Sequence, residues 1–176
     1  MGTRKSRSGW ALRAAGLALG FCAVLVVAVS SRVPAGAATV GADVTFVANP
    51  SGQLTVSPVT PFLRGHALRP SGRTAGGVID VTNEAGRPVG VHLRAATEKS
   101  NLDRLMRVEI RAGTGSLYRG TLAGLRGWTK PGFILAAGET RTLRFRVWLA
   151  PTATRGYEGR YEMVPVELRP APVRSV

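Results

Sequence analysis

The chain is poor in cysteine, in acidic residues and in aromatics, and each scarcity removes a class of function. Cys22 is the only cysteine among 176 residues. One thiol forms no intrachain disulfide and no multi-cysteine zinc site. It also falls in a leader-like stretch, so the processed product would hold no cysteine nucleophile. Acidic residues number 10 against 24 lysines and arginines, for a formal net charge of +14. Aromatic residues make up 6%. That is too few for the row of rings on which single-stranded nucleic acid stacks, and no helix long enough for a major groove is evident. Nucleic acid is therefore not an expected partner. Long apolar runs are missing too. The uncharged run from Ala14 to Val29 covers 16 residues. As a helix it spans about 24 Å, short of the roughly 30 Å of a bilayer core.

That run belongs to a leader. Arg4, Lys5, Arg7 and Arg13 precede it, Ser30–Arg32 ends it, and Pro34-Ala35-Gly36-Ala37-Ala38 supplies small residues of the A-x-A kind. The order is that of a secretory signal peptide, residues 1–38, cut near Ala37 or Ala38. The rival reading is an uncleaved anchor. A secreted, extracellular or cell-surface product follows, with the membrane a partner only before cleavage. Leu19-Gly20-Phe21-Cys22 is no lipoprotein box, since Phe21 is bulky where a small residue is required. No Arg-Arg pair precedes the run, and no L-P-x-T-G wall-sorting signal is present.

Beyond the leader, side-chain character alternates with a period near two. Leu143, Phe145, Val147 and Leu149 alternate with Thr142, Arg144, Arg146 and Trp148, the pattern of a half-buried strand. Met106-Val108-Ile110, Val89-Val91-Leu93 and Ile79-Val81 repeat it. Val164, Val166 and Leu168 form a late strand. Tyr161 and Met163 are out of phase with them, which predicts a bulge near Met163. Pro165 lacks a donor, which predicts an edge strand. Asn83 to Pro88 and Ala112 to Gly115 read as hairpin-like loops, and Ala137-Gly138-Glu139 as a turn. Ser100 or Asn101 is expected to cap a short helical turn at Leu102–Met106, with another at Thr121–Leu125. The fold class expected is all-β, an antiparallel jelly-roll-like sandwich. One domain is expected over residues 39–169, with a loose tail over 170–176.

Several phrases, in order, resemble the TasA/camelysin family of exported bacterial proteins. They are Gly52-Gln53-Leu54-Thr55-Val56, Leu68-Arg69-Pro70-Ser71-Gly72, Val78 to Asn83, Leu102 to Ile110, Leu117-Tyr118-Arg119-Gly120-Thr121-Leu122, Leu135 to Leu149 and Tyr157-Glu158-Gly159. The resemblance implies a sandwich exported to the envelope or biofilm matrix. There an N-terminal segment of one subunit completes the sheet of the next. Residues 39–49, with Val44, Phe46 and Val47, would be that assembly strand, and self-association the expected partnership. The competing expectation is that this strand pairs within its own domain.

Camelysin relatives have been labelled metallopeptidases, so the residues must be tested against that activity. A catalytic zinc takes three protein ligands. The chain offers His66 and His92 only, with no H-E-x-x-H. Asp80 or Glu84 would have to complete such a set. Glu158 and Glu162, four residues apart, read either as a carboxylate pair for glycoside chemistry or as solvated partners of the neighbouring Arg155 and Arg160. No phosphate-cradling loop or serine triad stands out. The expectation is a non-enzymatic chain with no catalytic, cofactor-binding or metal site, hence no cofactor. Two other expectations concern surfaces: Trp148 with Arg144 and Arg146 as a candidate interface, and arginine-mediated attraction to anionic envelope or matrix polymers, by a monomer or an assembly. N-terminal sequencing of the secreted product should find a first residue at or next to Thr39. A product still beginning at Met1 would contradict cleavage.

Overall fold

The computed structural model describes residues 41–97, 99–130 and 132–173. The leader, including Cys22, and residues 174–176 lie outside them. Ten strands are described: β1 Ala42–Pro50, β2 Leu54–Ser57, β3 Leu63–Leu68, β4 Ala75–Asn83, β5 Val89–Ala95, β6 Met106–Ala112, β7 Gly115–Thr121, β8 Phe133–Leu135, β9 Thr140–Leu149 and β10 Tyr161–Pro172. They form two five-stranded sheets packed against each other, ordered β3-β1-β10-β5-β8 and β2-β4-β9-β6-β7. The all-β sandwich is thus the fold. Among the described strands one ladder is parallel, β1 against β10. Antiparallel pairing joins the others.

The alternation read from the sequence is the alternation observed. Leu143, Phe145, Val147 and Leu149 are buried, as are Met106, Val108 and Ile110, and Val89, Val91 and Leu93. These side chains share one core drawn from both sheets. Phe62 ties the layers together. Its ring lies 6.2 Å from Phe46 of β1 and 4.8 Å from Phe145 of β9, both edge-on, the geometry that ring quadrupoles favour.

Four local expectations need correction. Asn83 to Pro88 does not close a hairpin, because β4 and β5 belong to different sheets and the loop carries the chain across. No bulge occurs at Met163. Tyr161 and Met163 simply face outward, 61% and 56% exposed, and the β1 register runs unbroken from Asp43↔Tyr161 to Pro50↔Leu168. β10 is not an edge strand but the centre of its sheet. Finally, Pro170 to Pro172 are not a loose tail; they continue β10 against β5.

How a central strand holds Pro165, Pro170 and Pro172 follows from its main chain. In an extended strand, alternate residues aim their N–H and C=O at opposite neighbours. The carbonyls of Arg160 and Leu168 accept from Asp43 and Ser51, on the β1 side, while that of Pro165 accepts from Ala96 on the β5 side. Pro165 therefore turns its donor-less nitrogen toward β5 beyond the last pair, Val166↔Ala95. Pro170 and Pro172 turn theirs toward β1, which has already ended opposite Leu168. At Pro170 and Pro172 no ladder bond is lost; at Pro165 the carbonyl still accepts from Ala96 and only the reciprocal donor is missing.

The crossover from β4 to β5 is fixed by one buried amide. Asn83 is 0% exposed. Its Nδ2 lies 2.9, 3.2 and 2.8 Å from the carbonyls of Arg87, Leu135 and Ala136, and its Oδ1 accepts from the Ala85 N–H at 2.9 Å. Its own main chain pairs with Glu139 and Gly138. One side chain thus joins the crossover to the turn before β9. Asn83→Ala should cost roughly 2–3 kcal/mol in urea unfolding, because it strands buried carbonyls. Asn83→Asp should cost more, setting a carboxylate against acceptors. An aspartate variant as stable as wild type would contradict this role.

Candidate functional site

The two neighbours of β10 are staggered along it. β1 accompanies residues 161–168, whereas β5 accompanies only 166–172. By the alternation set out above, the N–H and C=O of Tyr161 and Met163 point to the β5 side. Among the described residues no strand lies there, and neither residue has a main-chain partner on that side. A groove of about 720 Å³ occupies the place of the missing strand. Tyr161, Glu162 and Met163 line one wall, and Thr97, Ser100 and Leu102 the other.

Local chemistry holds the far wall away. After Ala95 the chain turns into the short helix α1, Asn101–Leu105. The Ser100 hydroxyl caps it by accepting from the Asp103 N–H at 3.2 Å, and the Asp103 carboxylate accepts in return from the Ser100 hydroxyl at 2.8 Å and its N–H at 3.4 Å. This reciprocal box satisfies donors that a helix start leaves free. Asp103 is fully buried and forms an ion pair with Arg126. Arg126 ends the 3-10 turn Leu122–Arg126, which Thr121 caps through the Gly124 N–H at 3.0 Å. Both short helical segments thus stand within one residue of where the sequence placed them, with Met106 opening β6 and Thr121 serving as a cap. The ion pair between them pins the segment that frames the groove.

Inside the groove, burial pushes the Glu162 carboxyl above the usual carboxylate range. The Ser100 hydroxyl, 3.3 Å away, and the charge of Arg126 oppose the shift only in part. Glu158, by contrast, is held below that range, first by its own main-chain N–H and then by those of Gly156 and Tyr157. Lys99 and Arg160 also line the groove. Its walls offer main-chain donors and acceptors between apolar side chains, the chemistry of an extended peptide partner.

The other residues singled out by sequence fall elsewhere. Val44 and Phe46 are buried and Val47 is half-buried facing out, in a β1 paired on both sides within its own chain. Arg144 and Arg146 are exposed on the outer face of β9, with Trp148 half-buried beside them. His66 of β3 is 82% exposed and lies 3.0 Å from Asp43. His92 of β5 lies 2.7 Å from the Thr129 carbonyl. β1 and β10 separate their strands, about 14 Å at the usual strand spacing, too far to share a metal ion. Asp80 bonds Thr142 and Glu84 bonds Thr55 in the other sheet. Among the described residues no group of three His, Cys, Asp or Glu is placed to hold a metal ion. Trp128 is clasped between Arg169 and Arg94, 3.9 and 4.6 Å from its ring centre, a cation–π arrangement. The groove itself had one sequence signal, the outward phase of Tyr161 and Met163. No family model matches the chain, and no curated protein matches it.

The Glu162 shift carries a sign. Its proton is bound more tightly in the folded chain than in the unfolded one. The associated stability is complete below the unfolded carboxylate pKa and is lost as pH rises through the raised folded value. Thermal melts of Glu162→Gln should therefore show a flatter pH profile and a higher Tm than wild type at neutral pH. A variant whose Tm falls with pH as steeply as wild type would contradict the assignment.

Proposed function

We propose that the chain is an exported structural protein of the cell envelope or biofilm matrix, of the kind the TasA/camelysin resemblance implies, and that its subunits associate by strand addition. The observation that supports this reading most directly is the main chain of Tyr161 and Met163, without a partner on the β5 side among the described residues, beside a groove of about 720 Å³. An extended segment of a second copy entering there would bond that main chain and cover Tyr161 and Met163 with its own outward side chains.

Residues 42–50 already serve as β1 in their own sheet. The segment 39–49 would thus pass between copies by exchange, rebuilding the same ladders. Deleting it would remove buried Val44 and Phe46 and unfold the domain, so truncation is a poor test. Met163→Pro is a better one. It removes the open donor and sets a ring in the groove while sparing the β1 ladder. Electron microscopy of the chain starting at Thr39 should show filaments. Met163→Pro should leave a monomer by size-exclusion chromatography with Tm nearly unchanged. Filaments that persist in the variant would assign assembly to β1 exchange. A wild-type chain that stays monomeric at high concentration would end the structural reading.

A further inference from the structure

The outer face of the second sheet carries an arginine cluster that strand addition does not use. Arg144 and Arg146 project from β9, where the ladder sets Arg111 opposite Arg144 and Glu109 opposite Arg146. Across the next ladder Arg119 stands opposite Glu109. Four arginine positions therefore neighbour Glu109 on this face, and its carboxylate lies 3.8 Å from Arg146. Elsewhere arginines meet acids more closely: Arg94 with Glu167, Arg126 with Asp103, and Arg141 with Glu139. Like charges directly opposite each other across a ladder destabilise a sheet. The Arg111 guanidinium is held by the Thr114 carbonyl at 3.2 Å, but Arg144 opposite it has no carboxylate within ion-pair distance among the described residues, and a bound anion would offset that repulsion.

The shape of the face narrows the anion. Two shallow slots, of about 380 and 270 Å³, share Glu109 and Arg146. The first is open because Gly76 brings no side chain to this face, and Val78 stands beside it 47% exposed. The second ends at Trp148 and Arg119. Together they follow β9 from Arg144 to Trp148, about 13 Å at strand rise. Guanidinium forks take carboxylates in bidentate pairs. An indole and an isopropyl group between those forks give the C–H faces of sugar rings something to cover. A purely phosphate chain would leave Val78 and Trp148 without a partner.

We propose that this face binds an acidic polysaccharide, a linear chain of carboxylate-bearing sugars laid along β9. The cluster lies on the sheet that does not contain the Tyr161–Met163 groove, so the inference stands apart from the assembly reading.

Calorimetric titration with polygalacturonate fragments at low salt tests it. The Arg144→Gln/Arg146→Gln variant should bind about tenfold or more weakly than wild type, given the strength of charge-assisted pairs. The Arg64→Gln/Arg155→Gln variant removes the same charge from exposed positions off this face. It should change affinity by less than about twofold, since screened charges at a distance contribute little. Circular dichroism melts confirm that both variants fold. Equal weakening by the two variants would overturn the proposal, reducing it to net charge. Displacement of polygalacturonate by polyphosphate or single-stranded DNA of matched charge would overturn it too, assigning the face to phosphate. Filaments from the Arg144→Gln/Arg146→Gln variant would leave strand addition intact.

Discussion

The main chain of β10 is shared unequally between its two neighbours, and the first sheet is organised around that inequality. β1 runs beside its first two thirds and β5 beside its last part. Where both are present the strand is saturated, and Val166 and Leu168 are sealed into the core. Where only one is present, the opposite edge is either silent, because a proline stands there, or open, as at Tyr161 and Met163. Prolines and a partner-less edge are two solutions to the same problem, a hydrogen-bonding group without a neighbour. In one half of β10 the donor is removed; in the other it is left facing a groove.

Two buried polar side chains make this geometry rigid. Asn83 satisfies carbonyls from the crossover and from the turn before β9, so it sets how β5 and β8 enter the first sheet. Asp103 gathers the capping hydroxyl of Ser100 and the Arg126 guanidinium. It thereby keeps residues 99–102 from closing onto β10. Neither interaction touches an expected partner, yet together they hold the groove open. In the described residues no buried side-chain polar atom lacks a hydrogen bond, so the openness at Tyr161 and Met163 is confined to main chain facing a groove.

Much of the sandwich was legible because alternation is a local signal. The in–out phase of β9, β6 and β5 follows directly from residues two apart. The cap at Ser100, read as Ser100 or Asn101, was legible for the same reason, since a hydroxyl before a short apolar segment acts within one turn; Thr121 read as part of the second turn and proves to cap it. What failed was non-local. Pro165 looked like an edge residue because the sequence cannot say that β5 stops one residue short of it. Tyr161 and Met163 looked like a bulge because apolar residues on an outward phase have no place in a sealed sheet, and the vacant strand position that suits them is a property of topology. The loop after Asn83 has the composition of a hairpin and serves instead as a crossover. The arginines of β9 were visible, but their meeting with Arg111 and Arg119 depends on strand order.

The most direct test of the account is amide hydrogen exchange, read residue by residue on the monomeric chain. The account predicts fast exchange at Tyr161 and Met163, whose N–H groups face the groove, and slow exchange at Val164, Val166 and Leu168 beside them. Protection at Tyr161 and Met163 in the monomer as strong as at Val166 would mean that the edge is already paired, and would contradict the vacancy on which the proposed assembly rests.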